Sequence, residues 1–187
     1  MKMTWGKSIL GACLLAVSVT AAAAPAASAL VYIDQREYEH PIKLWHFYYD
    51  YWYAQGPAVE PIVLSDLKPL FSETGMCEGQ KTADVVVLVK PRMIYNPHFT
   101  TFYATLQTEV FSGSGRLLGK YKGEGEHRGF LDVAPAQQVR KAYDLAMQDA
   151  VKQMQADSKL QEVLAKGKPD NQADISCGTI PLLPPVK

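Results

Sequence analysis

Apolar residues are most regularly arranged in the middle of the chain, where their spacing predicts long β-strands. Residues 84–89 read DVVVLV, an apolar and β-branched run typical of a strand covered on both faces. Lys90 and Pro91 are expected to end it. Residues 99–111 alternate instead, and this period of two predicts a half-buried strand whose apolar face holds Phe102, Ala104, Leu106 and Val110.

A hairpin is predicted directly after the alternating strand. The sequence SGSG at 112–115 has the composition of a turn and predicts a returning strand over residues 116–126. One face of this strand carries mainly Lys and Glu side chains, a pattern typical of a solvated surface. The opposite face carries Gly119, Gly123 and Gly125, and glycines there allow a helix or another backbone to approach closely.

Apolar residues spaced by three and four predict a long helix after the strands. It begins at Pro135, ends before Gly167, and carries one apolar stripe: Val139, Ala142, Tyr143, Ala146, Ala150 and Met154. Ahead of the central strands, residues 59–64 predict a short strand, and Ser65 a short helix that stops at Gly75. This order predicts an α+β fold: a mostly antiparallel sheet of about four strands with helices packed on at least one face.

The sequence LWHFYYDYWY at 44–53 holds seven of the 19 aromatic residues of the chain. Pro41 before it and Gly56 with Pro57 after it have the character of helix ends. A helix would also separate the apolar rings from one polar arc made of Lys43, His46, Asp50 and Tyr53. A strand remains open, because aromatic side chains favour strands. The prediction favours a helix over residues 42–55.

The apolar arc of such a helix is too wide for one packing face, so some of its rings should lie on the surface. Core packing, a protein-binding surface, membrane-interface docking and a cage for a sugar or aromatic ligand are all open interpretations. As a functional hypothesis we favour protein binding, because Tyr and Trp are enriched at interfaces. The candidate partner-binding residues are Trp45, Phe47, Tyr48, Tyr49, Tyr51 and Trp52.

The first 29 residues are organised like a secretory signal. Lys2 and Lys7 precede an apolar run, and the small-x-small sequence Ala27-Ser28-Ala29 predicts cleavage after Ala29. The sequence LGAC ending at Cys13 resembles a lipobox, but apolar residues continue beyond the cysteine, so lipidation there is disfavoured. Export predicts a periplasmic or secreted protein, and no later segment is long enough to be a transmembrane span.

Charge and cysteine content narrow the class of protein further. Without the signal the chain has 17 basic and 19 acidic side chains, a net charge of −2, which argues against nucleic acid as a partner. Cys77 and Cys177 remain, and such a pair in an oxidising compartment predicts one disulfide. The predicted organisation is an aromatic-rich segment (30–58), a core domain (59–167) and an extended tail (168–187) that the disulfide pins.

No constellation of catalytic residues stands out. The sequence has no nucleophile elbow, phosphate loop or dinucleotide glycine pattern, so a non-enzymatic protein without a cofactor is expected. His98 and His127 are expected to lie roughly opposite each other at the hairpin end far from its turn. They are a weak alternative for a metal site, in a periplasmic module that binds a metal or small ligand.

Several segments together resemble a group of periplasmic accessory proteins associated with the outer membrane. These segments are SETG at 72–75, ADVVVLV at 83–89, SGSGRLL at 112–118, and the helix AYDLA at 142–146 with Ala150. The group contains the ABC-transport auxiliary lipoproteins and the small curli-assembly-like or Pel-export-like envelope lipoproteins. The resemblance covers a little over half of the mature chain. It implies a non-catalytic role in an envelope transport or assembly system. The expected partner is a protein of that assembly, and a second copy of the chain is a further candidate.

Overall fold

The computed structural model describes residues 26–39, 41–167 and 177. Within these residues there are seven strands and four helices. The strands are β1 (Ser28–Ile33), β2 (Pro41–Trp45), β3 (Asp50–Ala54), β4 (Glu73–Met76), β5 (Val85–Asn96), β6 (Thr101–Ser112) and β7 (Leu117–Arg128). The helices are α1 (Gln35–Glu39), α2 (Gly56–Leu67), α3 (Pro135–Ala156) and α4 (Ser158–Ala165). The α+β class is confirmed.

The main sheet has five strands, in the order β4-β1-β5-β6-β7. The three long strands β5, β6 and β7 are antiparallel, and β1 pairs in parallel with β4 and β5. The predicted end of the apolar strand at Lys90 and Pro91 is wrong, because β5 continues to Asn96. Its partner β1 ends opposite Val89, so Pro91 lies where β5 pairs within the sheet on one side only, and proline is tolerated there.

One face of the sheet forms the core, and the prediction for β6 is confirmed there. The four apolar side chains of its predicted inner face, Phe102, Ala104, Leu106 and Val110, are all buried. The backbone of α3 lies directly over Gly123 and Gly125 of β7, as the glycine pattern predicts. Gly119 instead faces the ring of Tyr121 on its own strand.

The helix predicted over residues 42–55 is wrong. β2 and β3 form an antiparallel hairpin there, with Leu44 opposite Tyr51. The chain reverses direction between Trp45 and Asp50, so the segment forms two strands. The preference of aromatic residues for strands is therefore a better guide here than the polar arc that a helix would have formed. The reversal sends Leu44 into the core of the domain, where it is fully buried.

The strand predicted over residues 59–64 and the helix predicted from Ser65 to Gly75 are also wrong. Gly56 and Pro57 begin α2 rather than end a helix, and proline suits this first turn. A short apolar run fits either period, and the buried side chains here follow helical spacing: Ala58, Val59, Val63 and Leu67. Gly75 lies in the edge strand β4.

The disulfide between Cys77 and Cys177 is confirmed, and it joins residues 100 positions apart in sequence. The Cys177 N–H also donates to the Lys81 carbonyl oxygen at 3.1 Å. Cys177 packs with Leu30 and Val86 on the sheet face opposite the main core. The expected extended conformation of the tail concerns residues 168–176 and 178–187, which lie outside the described residues, as do residues 1–25 of the predicted signal.

β1 is an element that the sequence does not predict. Its first two residues, Ser28 and Ala29, fall within the predicted signal, yet they pair in the sheet with β4. No helix among the described residues is both long and apolar enough to cross a membrane.

Candidate interaction site

The aromatic hairpin has one face on the core and one face outward. Pairing places Ile42 and Tyr53 opposite each other, and Leu44 opposite Tyr51, and all four side chains pack against the main core. Because side chains alternate between the two faces of a strand, the residues between these four point outward. Lys43 lies opposite Trp52, and Trp45 opposite Asp50.

The outward face of the hairpin combines two exposed indole rings with one ion pair. The Lys43 Nζ atom lies 2.8 Å from the Asp50 Oδ2 atom, a diagonal contact between the two strands. Trp45 is 48% exposed and Trp52 is 58% exposed. The two charges of this face neutralise each other beside the two indole rings.

The turn that joins β2 to β3 consists of His46, Phe47, Tyr48 and Tyr49. It is closed by a hydrogen bond of 3.1 Å from the His46 N–H to the Tyr49 carbonyl oxygen. The His46 ring stacks on the Tyr49 ring with centroids 4.7 Å apart. Tyr48 lies at the tip and is 88% exposed. Partial burial, together with the nearby Asp132 carboxylate, raises the pKa of Tyr49.

The tip of the hairpin rests on the turn between β5 and β6. The His98 ring meets the Phe47 ring edge-on at a centroid distance of 4.7 Å, and it lies 6.5 Å from the Trp45 ring. Trp45 and Phe47 are themselves 5.3 Å apart. These contacts pack the aromatic rings of the tip against the turn between β5 and β6.

The base of the hairpin is anchored by a polar network that runs from the buried Gln55 to the exposed Arg92. Gln55, which follows β3, is almost fully buried and accepts a hydrogen bond of 2.8 Å from the Tyr143 hydroxyl. Its amide donates to Glu37 at 3.3 Å, and Arg92 donates to both Glu37 oxygens at 2.8 and 3.0 Å. Burial raises the pKa of Tyr143, which keeps its hydroxyl a donor. The network therefore ties the hairpin to α1, α3 and β5.

Two loops at one end of the sheet also carry exposed apolar side chains. Phe99, in the β5–β6 turn, is 65% exposed, and Phe130, in the loop between β7 and α3, is 60% exposed. The two loops are joined by a hydrogen bond of 2.8 Å from the Gly129 N–H to the Thr100 carbonyl oxygen. We call Trp45, Phe47, Tyr48, Tyr49, Trp52, Phe99 and Phe130 together the aromatic surface.

The structure divides the sequence-predicted partner-binding residues into two groups. Five of them are exposed: Trp45, Phe47, Tyr48, Tyr49 and Trp52. Tyr51 lies on the inner face of the hairpin and packs against the core. Sequence reasoning missed both Phe99 and Phe130 as surface residues. Phe99 falls within the strand predicted over residues 99–111, but β6 begins only at Thr101. Phe130 is a single aromatic residue in a loop, where no periodicity indicates exposure.

His98 and His127 each have a partner of their own. The His98 ring packs against the aromatic tip, whereas His127 Nε2 lies 2.6 Å from the Gln138 Oε1 atom on α3. Among residues 26–39, 41–167 and 177, no group of three or more His, Cys, Asp and Glu side chains is arranged to hold a metal ion. The contacts give these two histidines packing and hydrogen-bonding roles.

Comparisons with known proteins find similarity in structure alone. No protein-family model and no curated protein sequence matches the chain. A Xanthomonas campestris protein of the family DUF330 is similar with a TM-score of 0.48 and 10% identity, over 66% of this chain and 79% of that one. A Caulobacter crescentus protein described as a candidate lipoprotein is similar with a TM-score of 0.36 and 12% identity, over 59% and 83% of the two chains. At these scores neither likeness carries a functional argument.

Proposed function

We propose that the protein is an exported, non-catalytic accessory protein of a cell-envelope transport or assembly system, and that it binds a protein partner through the aromatic surface. The observation that carries this proposal is the exposure of both outward tryptophans, Trp45 and Trp52, beside the Tyr48 tip. Large exposed apolar patches on a folded protein mark interaction sites, and Trp and Tyr are the side chains most often found at binding hot spots.

Preorganisation of the aromatic surface supports the proposal. The hairpin tip is held by ring contacts with His98, and the hairpin base by the Gln55–Tyr143 hydrogen bond. A surface whose side chains are already held in place loses less conformational entropy when a partner binds. Tyr and Trp also have few rotatable bonds, so their contact area is gained at low entropic cost.

Photo-crosslinking in the envelope of a producing cell tests the proposal. A photoreactive phenylalanine analogue replaces Tyr48 in one protein and exposed Lys152 of α3 in another. We expect a discrete protein adduct from position 48 and none of the same mass from position 152. Adding Trp45→Ala and Trp52→Ala to the position-48 protein should reduce the adduct more than about tenfold, because hot-spot truncations each cost about 2 kcal/mol or more.

Leu145→Ala serves as the matched control, because Leu145 is an exposed apolar side chain on α3 outside the aromatic surface. It should leave the adduct unchanged, and all variants should retain the thermal midpoint of the parent. Equal adducts from both probe positions, or an adduct that survives the double tryptophan substitution in a folded protein, would refute binding through this surface.

A further inference from the structure

We infer that the mature chain keeps Ala27, Ser28 and Ala29, and we propose the Ala26–Ala27 peptide bond, in place of the bond after Ala29, as the point where the signal is removed. The inference rests on export but not on the aromatic surface. Its physical basis is the start of β1, which lies inside the sheet rather than at a free chain end.

The three residues in question are built into the fold. Ala27 is fully buried, and its carbonyl oxygen accepts a hydrogen bond of 2.9 Å from the Ser72 N–H. Ser28 pairs with Glu73 of β4, and Ala29 pairs with residues of both β4 and β5. Ala29 is 2% exposed. A residue that is buried and paired with strands on both sides belongs to the folded domain.

Ser28 also forms a specific contact with Asp84, the residue before β5. Its N–H and its hydroxyl both donate to the Asp84 Oδ2 atom, at 2.8 and 2.7 Å. The Asp84 N–H returns a hydrogen bond of 3.2 Å to the Ser28 hydroxyl oxygen. Hydrogen bonds to a carboxylate are among the stronger ones in proteins. They connect the first residue of β1 to the residue that precedes β5.

Cleavage after Ala29 would remove all of these contacts and create a charged ammonium group at Leu30. Leu30 is 8% exposed and lies between Gly75 of β4 and Val86 of β5. A charge at such a position has an unfavourable desolvation free energy unless the strand frays. The cleaved protein would therefore have a less stable β1, however efficiently the signal peptidase cuts after Ala29.

Cleavage between Ala26 and Ala27 keeps all of these contacts. Ala24-Pro25-Ala26 is the next small-x-small sequence upstream, so the residue-size requirement is met there too. A signal peptidase would hydrolyse the amide with one water molecule, leaving a carboxylate on Ala26 and an ammonium group on Ala27. The ammonium group would then lie on Ala27, which precedes β1 and follows the exposed Ala26, whereas cleavage after Ala29 places it on a residue paired with strands on both sides.

Intact-mass measurement and amino-terminal sequencing of the processed protein test the assignment. The full precursor is produced in an exporting bacterium and purified from its envelope fraction. We expect Ala27 as the first residue. A first residue upstream of Ala27 would keep the inference about β1 but overturn the assigned bond, and an unprocessed chain would also overturn the assigned bond. A first residue of Ser28, Ala29 or Leu30 would overturn both.

Purified chains that begin at Ala26, Ala27 or Leu30 test the physical reason separately. The Ala26 and Ala27 chains should share one thermal midpoint, whereas the Leu30 chain should melt about 4 °C or more lower. Ser28→Ala in the Ala27 chain should reproduce part of this loss of stability, since it removes only the hydroxyl contacts with Asp84. Equal midpoints for the Ala27 and Leu30 chains would refute the structural argument, irrespective of whether the aromatic surface binds a partner.

Discussion

Gly123 of β7 lies directly beneath the backbone of Ala146 on α3. A Cβ atom at Gly123 would overlap the Ala146 carbonyl oxygen and would lie 2.8 Å from the Ala150 nitrogen. The helix therefore rests on the strand backbone itself, and this close approach depends on the absence of a side chain. Gly125 meets Ala142 in the same way one helical turn earlier.

We expect Gly123→Ala to destabilise the protein by about 1–3 kcal/mol or more, because α3 must shift away from the sheet to accept the methyl group. The free energy of unfolding in urea measures this. Gly75→Ala is the matched control, since a Cβ there would find its nearest neighbour at an ordinary 3.6 Å. Similar unfolding midpoints for the two variants would contradict the close contact.

The sequence predicts the β6–β7 hairpin and α3 well for a physical reason. In each of these elements the apolar residues keep one spacing over many positions, so several residues independently indicate the same buried face. The glycines of β7 also pack against the alanines of α3, so both sequence patterns indicate the same helix–sheet contact. Residues 59–64 lack this redundancy, because so short a run, with Glu60 in it, fits a strand and a helix equally. Pro57 in the first turn is the local signal for the helix that forms.

The candidate site was predictable in composition but not in geometry. The density of rings at 44–53 marks the segment, and five of the six predicted residues are exposed. Which face each ring occupies depends on the turn at His46–Tyr49, and no glycine or Asn-Gly pair indicates that turn in the sequence. Tyr51 faces inward for this reason, and the pairing of β6 with β7 brings Phe130 to the same end of the sheet as Phe99.

The disulfide between Cys77 and Cys177 should contribute strongly to stability, because it closes a loop over a sequence separation of 100. Replacing both cysteines by serine should lower the free energy of unfolding by about 4–5 kcal/mol on the chain-entropy model. Urea unfolding of the double variant, beside the oxidised and reduced parent, measures it. The reduced parent should resemble the double variant, and an oxidised parent no more stable than the variant would contradict the prediction.

Asp157 should make stability depend on pH in the acid range. Its Oδ2 atom accepts from the Tyr121 hydroxyl at 2.8 Å, and its Oδ1 atom caps α4 by accepting from the Leu160 N–H at 3.2 Å. These bonds, that from Tyr121 above all, hold the pKa of Asp157 below its ordinary value. The stabilisation is therefore present above the unfolded-state pKa and is lost as pH falls through the lowered folded-state pKa.

The variant Asp157→Asn isolates this effect. The amide keeps an acceptor oxygen but has no charge, so the variant should be less stable than the parent at neutral pH. The difference should shrink as pH falls and vanish once the parent carboxylate is protonated. Urea midpoints of both proteins across the acid range measure the difference. A constant gap at every pH would show that Asp157 acts through its shape rather than its charge.

Gln153 protects the outer edge of β7, the edge strand of the main sheet. Its amide nitrogen donates to the Lys122 carbonyl oxygen at 2.8 Å, and its Oε1 atom accepts from the Lys122 N–H at 3.4 Å. Asp149 accepts from the Glu124 N–H at 3.1 Å. Side chains of α3 thus form hydrogen bonds with backbone groups of β7 that would otherwise be free to pair with a further strand. Unpaired strand edges promote association.

We expect Gln153→Ala to uncover this edge and so to increase concentration-dependent self-association, with little loss of thermal stability. Light scattering during size-exclusion chromatography over a range of loading concentrations measures the mass. Gln148→Ala is the matched control, because Gln148 lies on the same helix and its amide donates to Asp144 rather than to the strand. If both variants keep the mass of the parent at every concentration, the contact between Gln153 and Lys122 does not prevent edge pairing. The charged Lys and Glu side chains of β7 would then be the better explanation for the absence of association.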